Sequence, residues 1–206
     1  MNYKKEIENL YYFSLSDLNL FINNKKLALS YISRWLKNWF IKRIRPWFYV
    51  SSKKILELSL KNKLNNYLEY ISTNIVYIPS YLSREYVLFE NNILTENVYN
   101  FTLVSTKKTY TFKNDFWIFE YKNIKLDFFW DFEVVKKWDF LIYKASKEKA
   151  LFDYFYFKRW IVFEKKYFLE LRLNLENIDF EKFRKLVEKY DSKKLKKVLK
   201  ILELIK

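Results

Sequence analysis

Asp127, Asp131 and Glu133 recur at even spacing in the stretch LDFFWDFE. On an extended strand over Phe128–Glu133 that spacing sets the three carboxylates on one face, and such a cluster can hold Mg²⁺ for phosphoryl transfer. A nucleotidyltransferase would also need a Gly-Ser turn just upstream, which the chain lacks, so a solvated strand face is the better account. Glu148, Lys149 and Asp153 form a second constellation, in a segment that Ser146 can cap as a helix. Glu148 falls in the first turn, where the helix dipole favours a carboxylate, and Lys149–Asp153 is an i, i+4 pair. We assign this trio a structural role and no catalysis. With no cysteine and no histidine, thiolate and imidazole metal sites and Ser-His or Cys-His nucleophiles are excluded. No metal, no cofactor and no enzyme activity is expected.

The third constellation is basic. Lys26, Ser30, Ser33, Arg34 and Lys37 fall on one face of a helix predicted over about Lys25–Asn38, opposite the apolar stripe Ala28, Ile32 and Leu36 flanked by Tyr31 and Trp35. Lys42, Arg43 and Arg45 follow in a predicted hairpin, Phe40–Ile44 and Phe48–Val50. A basic helix face free of acidic residues, reached through a tight turn and followed at once by a basic hairpin, is the outline of a winged helix-turn-helix. In that arrangement the second helix enters the major groove. Lys25, Lys26, Ser30 and Arg34 are then expected near bases or adjacent phosphates, with Ser33 and Lys37 on the backbone. Lys42, Arg43 and Arg45 would hold phosphates or reach the minor groove. Arg34 is the candidate for reading guanine.

The elements that must position these residues can be placed in order. A short helix over 4–12 precedes Ser14, a predicted N-cap with Asp17 at N3. The helix it starts stops at Asn23-Asn24, where asparagine supplies a left-handed residue. Residues 51–60 suggest a linker or short strand. Helices are predicted over about 63–73 and, capped by Ser83, up to Asn91, with Asn92 as its stop. Residues 98–144 alternate like strands, with candidates 99–105, 109–112, 118–122, 128–133 and 140–143. Helices capped by Ser146, Asp179 and Ser192 complete the chain. The fold class expected is α+β: an N-terminal winged helix-turn-helix over 1–60, then a mixed α+β domain over 61–206.

The net charge of +15 points to a nucleic-acid partner. Lys, Asn, Ile, Phe and Tyr are residues of AT-rich codons, so base composition accounts for part of the charge, and its distribution says more. Residues 1–61 hold 12 basic and 4 acidic residues, whereas 62–206 hold 27 and 20. The excess is concentrated where the helix-turn-helix is predicted. The longest run without a charged residue, Tyr70–Ser83, contains Pro79 and is too short to cross a bilayer. MNYKKEIENL has no apolar core for a secretory signal. A cytoplasmic protein without a membrane partner is expected.

Three segments resemble the AbiEi family of antitoxins and transcriptional regulators from bacterial toxin–antitoxin and abortive-infection systems. LSYISRWLKNWFIKRIRPWFYV is similar to the family's winged-helix pattern L-S-R-L-x-K-x-G-x-I-x-R-x-x-x-G-x-Y. IPSYLSREYVLFENNIL is similar to P-S-Y-I-S-x-x-S-A-L-x-x-x-G-L-I, and YKASKEKALFDYFYF to A-T-P-E-K-A-L-L-D. The likeness spans about residues 13–200, and the third motif is the most specific. Lys147 stands where the family has Pro, and Glu85–Val87 lacks the Ser-Ala pair. The resemblance implies an antitoxin that represses its own operon by binding double-stranded DNA at inverted repeats. It also implies that the protein counteracts a nucleotidyltransferase-type toxin, with or without direct contact. The alternatives from residues alone are a basic RNA-binding or ribosome-associated protein, or a phosphodiesterase using Asp127, Asp131 and Glu133.

The chain has seven Trp and no Gly, whereas about 7% Gly is usual. Trp39, after a helix end, and Trp47, at i+2 of a turn beginning Arg45-Pro46, sit where the backbone asks for glycine. The family pattern has Gly at both, and at Trp117 and Trp130 too. We read the tryptophans as UGA codons translated as Trp, from an organism whose code assigns them to Gly.

Overall fold

The computed structural model describes residues 3–114 and 117–206. The chain is an α+β protein that divides into two compact units, one ending at Ile71 and one beginning at Ser72. The first therefore includes eleven residues beyond the boundary expected from sequence.

In the first unit, α1 (Tyr3–Asn9) and β1 (Phe13–Ser14) lead into α2 (Leu15–Ile22) and α3 (Lys25–Lys37). A hairpin of β2 (Ile41–Arg45) and β3 (Phe48–Ser51) follows, then α4 (Ser52–Leu60) and α5 (Leu64–Ile71). Ser14 starts α2 with a full capping box: its hydroxyl accepts from Asp17 N–H and the Asp17 carboxylate accepts from Ser14 N–H. Asn23 ends α2 at φ 51°, and Asn24 caps α3 through Leu27 N–H. The turn between the helices thus uses two asparagines for two different jobs, a left-handed stop and a side-chain acceptor. The three strands pair antiparallel in the order β1-β3-β2. Ile7, Phe13, Leu18, Ala28, Ile32, Trp35, Ile41 and Tyr49 form one buried core beneath them. Residues 52–60, expected as linker or strand, are helical. The Ser51 hydroxyl caps them by accepting from Lys54 N–H, and Leu58 turns inward.

The second unit opens with a π-helical turn (Ser72–Val76), then β4 (Ser80–Leu82) and α6 (Arg84–Glu90). Next come β5 (Phe101–Ser105), β6 (Tyr110–Lys113), β7 (Ile118–Asn123), β8 (Phe132–Lys137) and β9 (Phe140–Ala145). Four helices close it: α7 (Lys147–Phe157), α8 (Lys165–Glu170), α9 (Phe180–Lys189) and α10 (Lys193–Ile205). The six-stranded sheet is mixed, in the order β6-β7-β5-β4-β9-β8, with β5·β7 and β4·β9 parallel. β4 is too short to show a periodic pattern, which is why only pairing with β5 and β9 reveals it.

Residues 128–133, expected as one strand, are not. Leu126–Phe128 forms a 3₁₀ turn, Asp131 has φ 68°, and β8 begins only at Phe132. Ser83 does not cap α6, because its hydroxyl donates instead to Asp153 at 2.7 Å.

The backbone separates the tryptophans. Trp39 is the C′ residue of α3 with φ 58°. Its N–H reaches Leu36 O at 3.2 Å and Phe40 N–H reaches Trp35 O at 2.9 Å, the paired bonds of a Schellman motif. Pro46 and Trp47 form the two-residue loop between the paired Arg45 and Phe48, and Trp47 has φ 70°, as i+2 of a type II turn requires. Trp138 opens the two-residue loop between the paired Lys137 and Phe140 with φ 56°, the φ pattern of a type II′ turn, where Gly belongs. Trp130, also expected at a glycine position, is not among the described residues with positive φ. Trp117 is buried against Phe119, and Trp35 is a buried core residue of α3.

Candidate nucleic-acid interface

The interface candidates are arranged by three local causes. The apolar face of α3, with Ala28, Ile32 and Trp35 buried, turns inward. That rotation leaves Lys25, Lys26, Ser30, Ser33, Arg34 and Lys37 exposed together. No acidic residue lies on α3. Among the described residues, no ion pair engages Lys25, Lys26, Arg34 or Lys37. The Arg34 guanidinium lies over the Tyr31 ring at 4.8 Å, which narrows its freedom while leaving its edge open.

The Schellman turn at Trp39 reverses the chain into β2. Between Arg43 and Arg45 the strand register shifts, so Ile44 is the extra residue of a bulge and is buried like Ile41. Such a bulge re-aims side chains and sharpens the local twist. Arg43 is exposed, and Lys42 and Arg45 are half-buried. Lys42 Nζ rests over the Trp39 ring at 4.3 Å and the Arg45 guanidinium over the Phe48 ring at 4.2 Å. The hairpin is fastened to the helices at its far end too, since Leu15 N–H donates to Trp47 O and β1 pairs with β3. All nine residues expected to meet DNA therefore lie in the first unit, on one helix and the hairpin directly after it.

The carboxylate constellation does not assemble. Asp127 is in the 3₁₀ turn, Asp131 precedes β8, and only Glu133 is on the strand. Burial alone would raise the Asp131 carboxyl, but hydrogen bonds from Lys189 Nζ (2.8 Å) and Tyr190 OH (2.6 Å) outweigh it and hold the group below its ordinary value. Among the described residues, no cluster of three or more His, Cys, Asp or Glu side chains is placed to hold a metal ion.

Glu148, Lys149 and Asp153 are all buried, and Lys149 and Asp153 come together while Glu148 turns to another partner. Lys149 Nζ donates to Asp153 Oδ1 (2.7 Å) and to Phe128 O (2.8 Å). Asp153 Oδ2 accepts from Tyr81 OH (2.9 Å) and Ser83 Oγ (2.7 Å). Burial raises the Asp153 carboxyl, against the pull of Lys149, Ser83 and Tyr81. Glu148 accepts from Asp179 N–H at 3.1 Å, tying α7 to the cap of α9. The segments IPSYLSREY and SKEKALFD, 70 residues apart between Ser83 and Asp153, are thus joined through one hydrogen-bond network. Lys149–Asp153 was legible from spacing; Tyr81 and Ser83 stood in a motif, but nothing local marked Asp153 as their partner, because it lies on another element.

A scan against protein-family models finds none that matches the chain, and a search of the curated proteins finds no match. Among the described residues, no helix is long and apolar enough to cross a membrane.

Proposed function

We propose that the first unit is a winged helix-turn-helix and that the protein is a DNA-binding antitoxin that represses its own operon. In this reading α2 and α3 are the two helices, α3 enters the major groove, and the β2–β3 hairpin is the wing. The observation that carries it is the α3 surface: an exposed row of cations with no acidic neighbour, followed at once by a hairpin bearing Lys42, Arg43 and Arg45. DNA supplies the dense negative charge such a row matches. The second unit is then the part that counteracts a nucleotidyltransferase-type toxin, a role that rests on the AbiEi resemblance.

The test is binding to the protein's own promoter region against random duplex and against single-stranded RNA, across a salt series. Preference for an inverted repeat in the promoter, lost on Arg34→Ala, supports the reading. Equal affinity for promoter, random duplex and RNA favours a general RNA-binding or ribosome-associated protein. Co-expression with a nucleotidyltransferase encoded beside it tests the second role. Growth inhibition that the protein does not relieve overturns that role.

A further inference from the structure

The second unit contains a cavity of about 440 Å³ between α6 and the end of α7, lined in part by Arg84, Glu85, Glu96, Lys122, Tyr154 and Lys158. A volume of that size falls in the range of small-molecule sites. Arg84 is its distinctive residue. The side chain is buried (the residue is 7% exposed), and only Nη2 is paired, with Glu85 at 3.0 Å. Nε and Nη1 are buried with no hydrogen-bond partner. Burying guanidinium donors without acceptors is costly, and Arg84 also holds a left-handed φ of 58°, which an L-residue with a side chain resists. The adjacent Ser83 is fixed by its bond to Asp153, so the network described above pins the chain immediately before Arg84. The guanidinium lies 5.6 Å from the centre of the Phe157 ring. Lys158 Nζ and Tyr154 OH meet at 3.0 Å in the same lining. Three cations face two carboxylates there, and one of those, Glu85, is already spent on Arg84.

We propose that this cavity binds a small molecule through an oxoanion, a phosphate or a carboxylate, that pairs with the Arg84 guanidinium, with Lys158 and Lys122 alongside. The site is independent of the DNA-binding reading: all its residues are in the second unit.

Calorimetric titration of the full chain with inorganic phosphate, and separately with acetate, at constant ionic strength tests it. The expected result is saturable one-to-one binding of at least one of the two, weakened at least tenfold by Arg84→Gln and to a lesser degree by Lys158→Gln. Whichever anion binds more tightly identifies the ligand's acidic group. The control is Lys26→Gln/Arg34→Ala, which must leave the isotherm unchanged, since anions could otherwise be reporting on the basic helix. Failure of both anions to saturate, or equal affinity in wild type and Arg84→Gln, overturns the proposal. Should Arg84→Gln fail to fold by circular dichroism, Lys122→Gln/Lys158→Gln decides: a tenfold loss supports the site, and unchanged affinity overturns it.

Discussion

Replacing Trp47 by glycine should stabilise the protein, although it deletes the largest side chain there is. Trp47 is held at φ 70° and is 57% exposed, so the ring gives little burial in return for its conformation. A left-handed L-residue costs about 1–2 kcal/mol, and glycine returns about 0.5–1 kcal/mol of that through its larger unfolded-state entropy. The net gain is about 0.5–1 kcal/mol by that difference. In a unit ending at Ile71, about 1 kcal/mol shifts the melting midpoint by about 4–8 °C for a domain of that size, so Trp47→Gly should raise the transition by a few degrees. Trp138→Gly (φ 56°, 62% exposed) should act in the same direction. Trp39→Gly (φ 58°, 61% exposed) gains less, because it loses the stack of Lys42 on the ring, worth about 0.5–1 kcal/mol at an exposed site. Alanine at these positions keeps the left-handed cost and should give no gain. Trp35→Gly is the opposing control: it empties a buried core position (4% exposed) in the middle of α3 and should cost about 3–5 kcal/mol. The assay is thermal unfolding of each variant. A fall in midpoint for Trp47→Gly and Trp138→Gly equal to that of the alanine variants would refute the reasoning. The same geometry bears on decoding. The naturally expressed chain is expected to be lighter than the seven-Trp sequence by at least the exchanges at 39, 47 and 138, and an intact mass matching seven Trp would sink the UGA reading.

Lys42→Ala should weaken binding to every duplex alike and reduce the salt dependence of log K by about 1, whereas Arg34→Ala should change the sequence preference. Anisotropy titrations at several salt concentrations separate the two, and equal losses on promoter and random DNA for Arg34→Ala would remove it from base reading. Breaking the buried pair should be severe: Lys149→Met leaves the Asp153 carboxyl buried without its cation and is expected to cost about 3–5 kcal/mol in denaturant melts. Lys149→Met/Asp153→Leu should recover part of that loss, and a double variant worse than the sum of the singles would argue against the pairing account. Glu57, held at about 2 by hydrogen bonds from Lys61 and Lys54 against an ordinary 4.5, contributes stability that is present above pH 4.5 and lost as pH falls towards 2. Glu57→Gln should therefore lower the melting midpoint at pH 7 and flatten the acid limb below pH 4.5, so that variant and wild type converge towards pH 2. An unchanged acid limb in the variant would show that the ion pairs with Lys54 and Lys61 contribute nothing measurable.

Local rules carried the first unit far. Ser14 with Asp17, Asn23 and Asn24 declare their roles within four residues of where they act, so α2, the turn and α3 could be placed from sequence. The exposed cation row on α3 follows from helical periodicity alone. Trp39 and Trp47 announced left-handed positions because a helix end and a Pro-x turn each demand one, whichever residue stands there. α4 was missed because its N-cap, Ser51, also ends a strand, and one residue cannot advertise both.

What remained hidden depends on partners far along the chain. β4 is only three residues long and exists as a strand because β5 and β9 flank it. Even spacing of Asp127, Asp131 and Glu133 implied a shared face, but a 3₁₀ turn and a left-handed Asp131 break the strand before the spacing can act. Ser83 has the residue type of a cap, yet Asp153 on α7 takes its hydroxyl, and Arg84 is left with buried donors that no local rule would predict. Short-range hydrogen bonding and periodicity are written in neighbouring residues. Which buried polar group meets which is decided only when sheet and helices close on each other, because only then does exclusion of water make an unpaired donor costly.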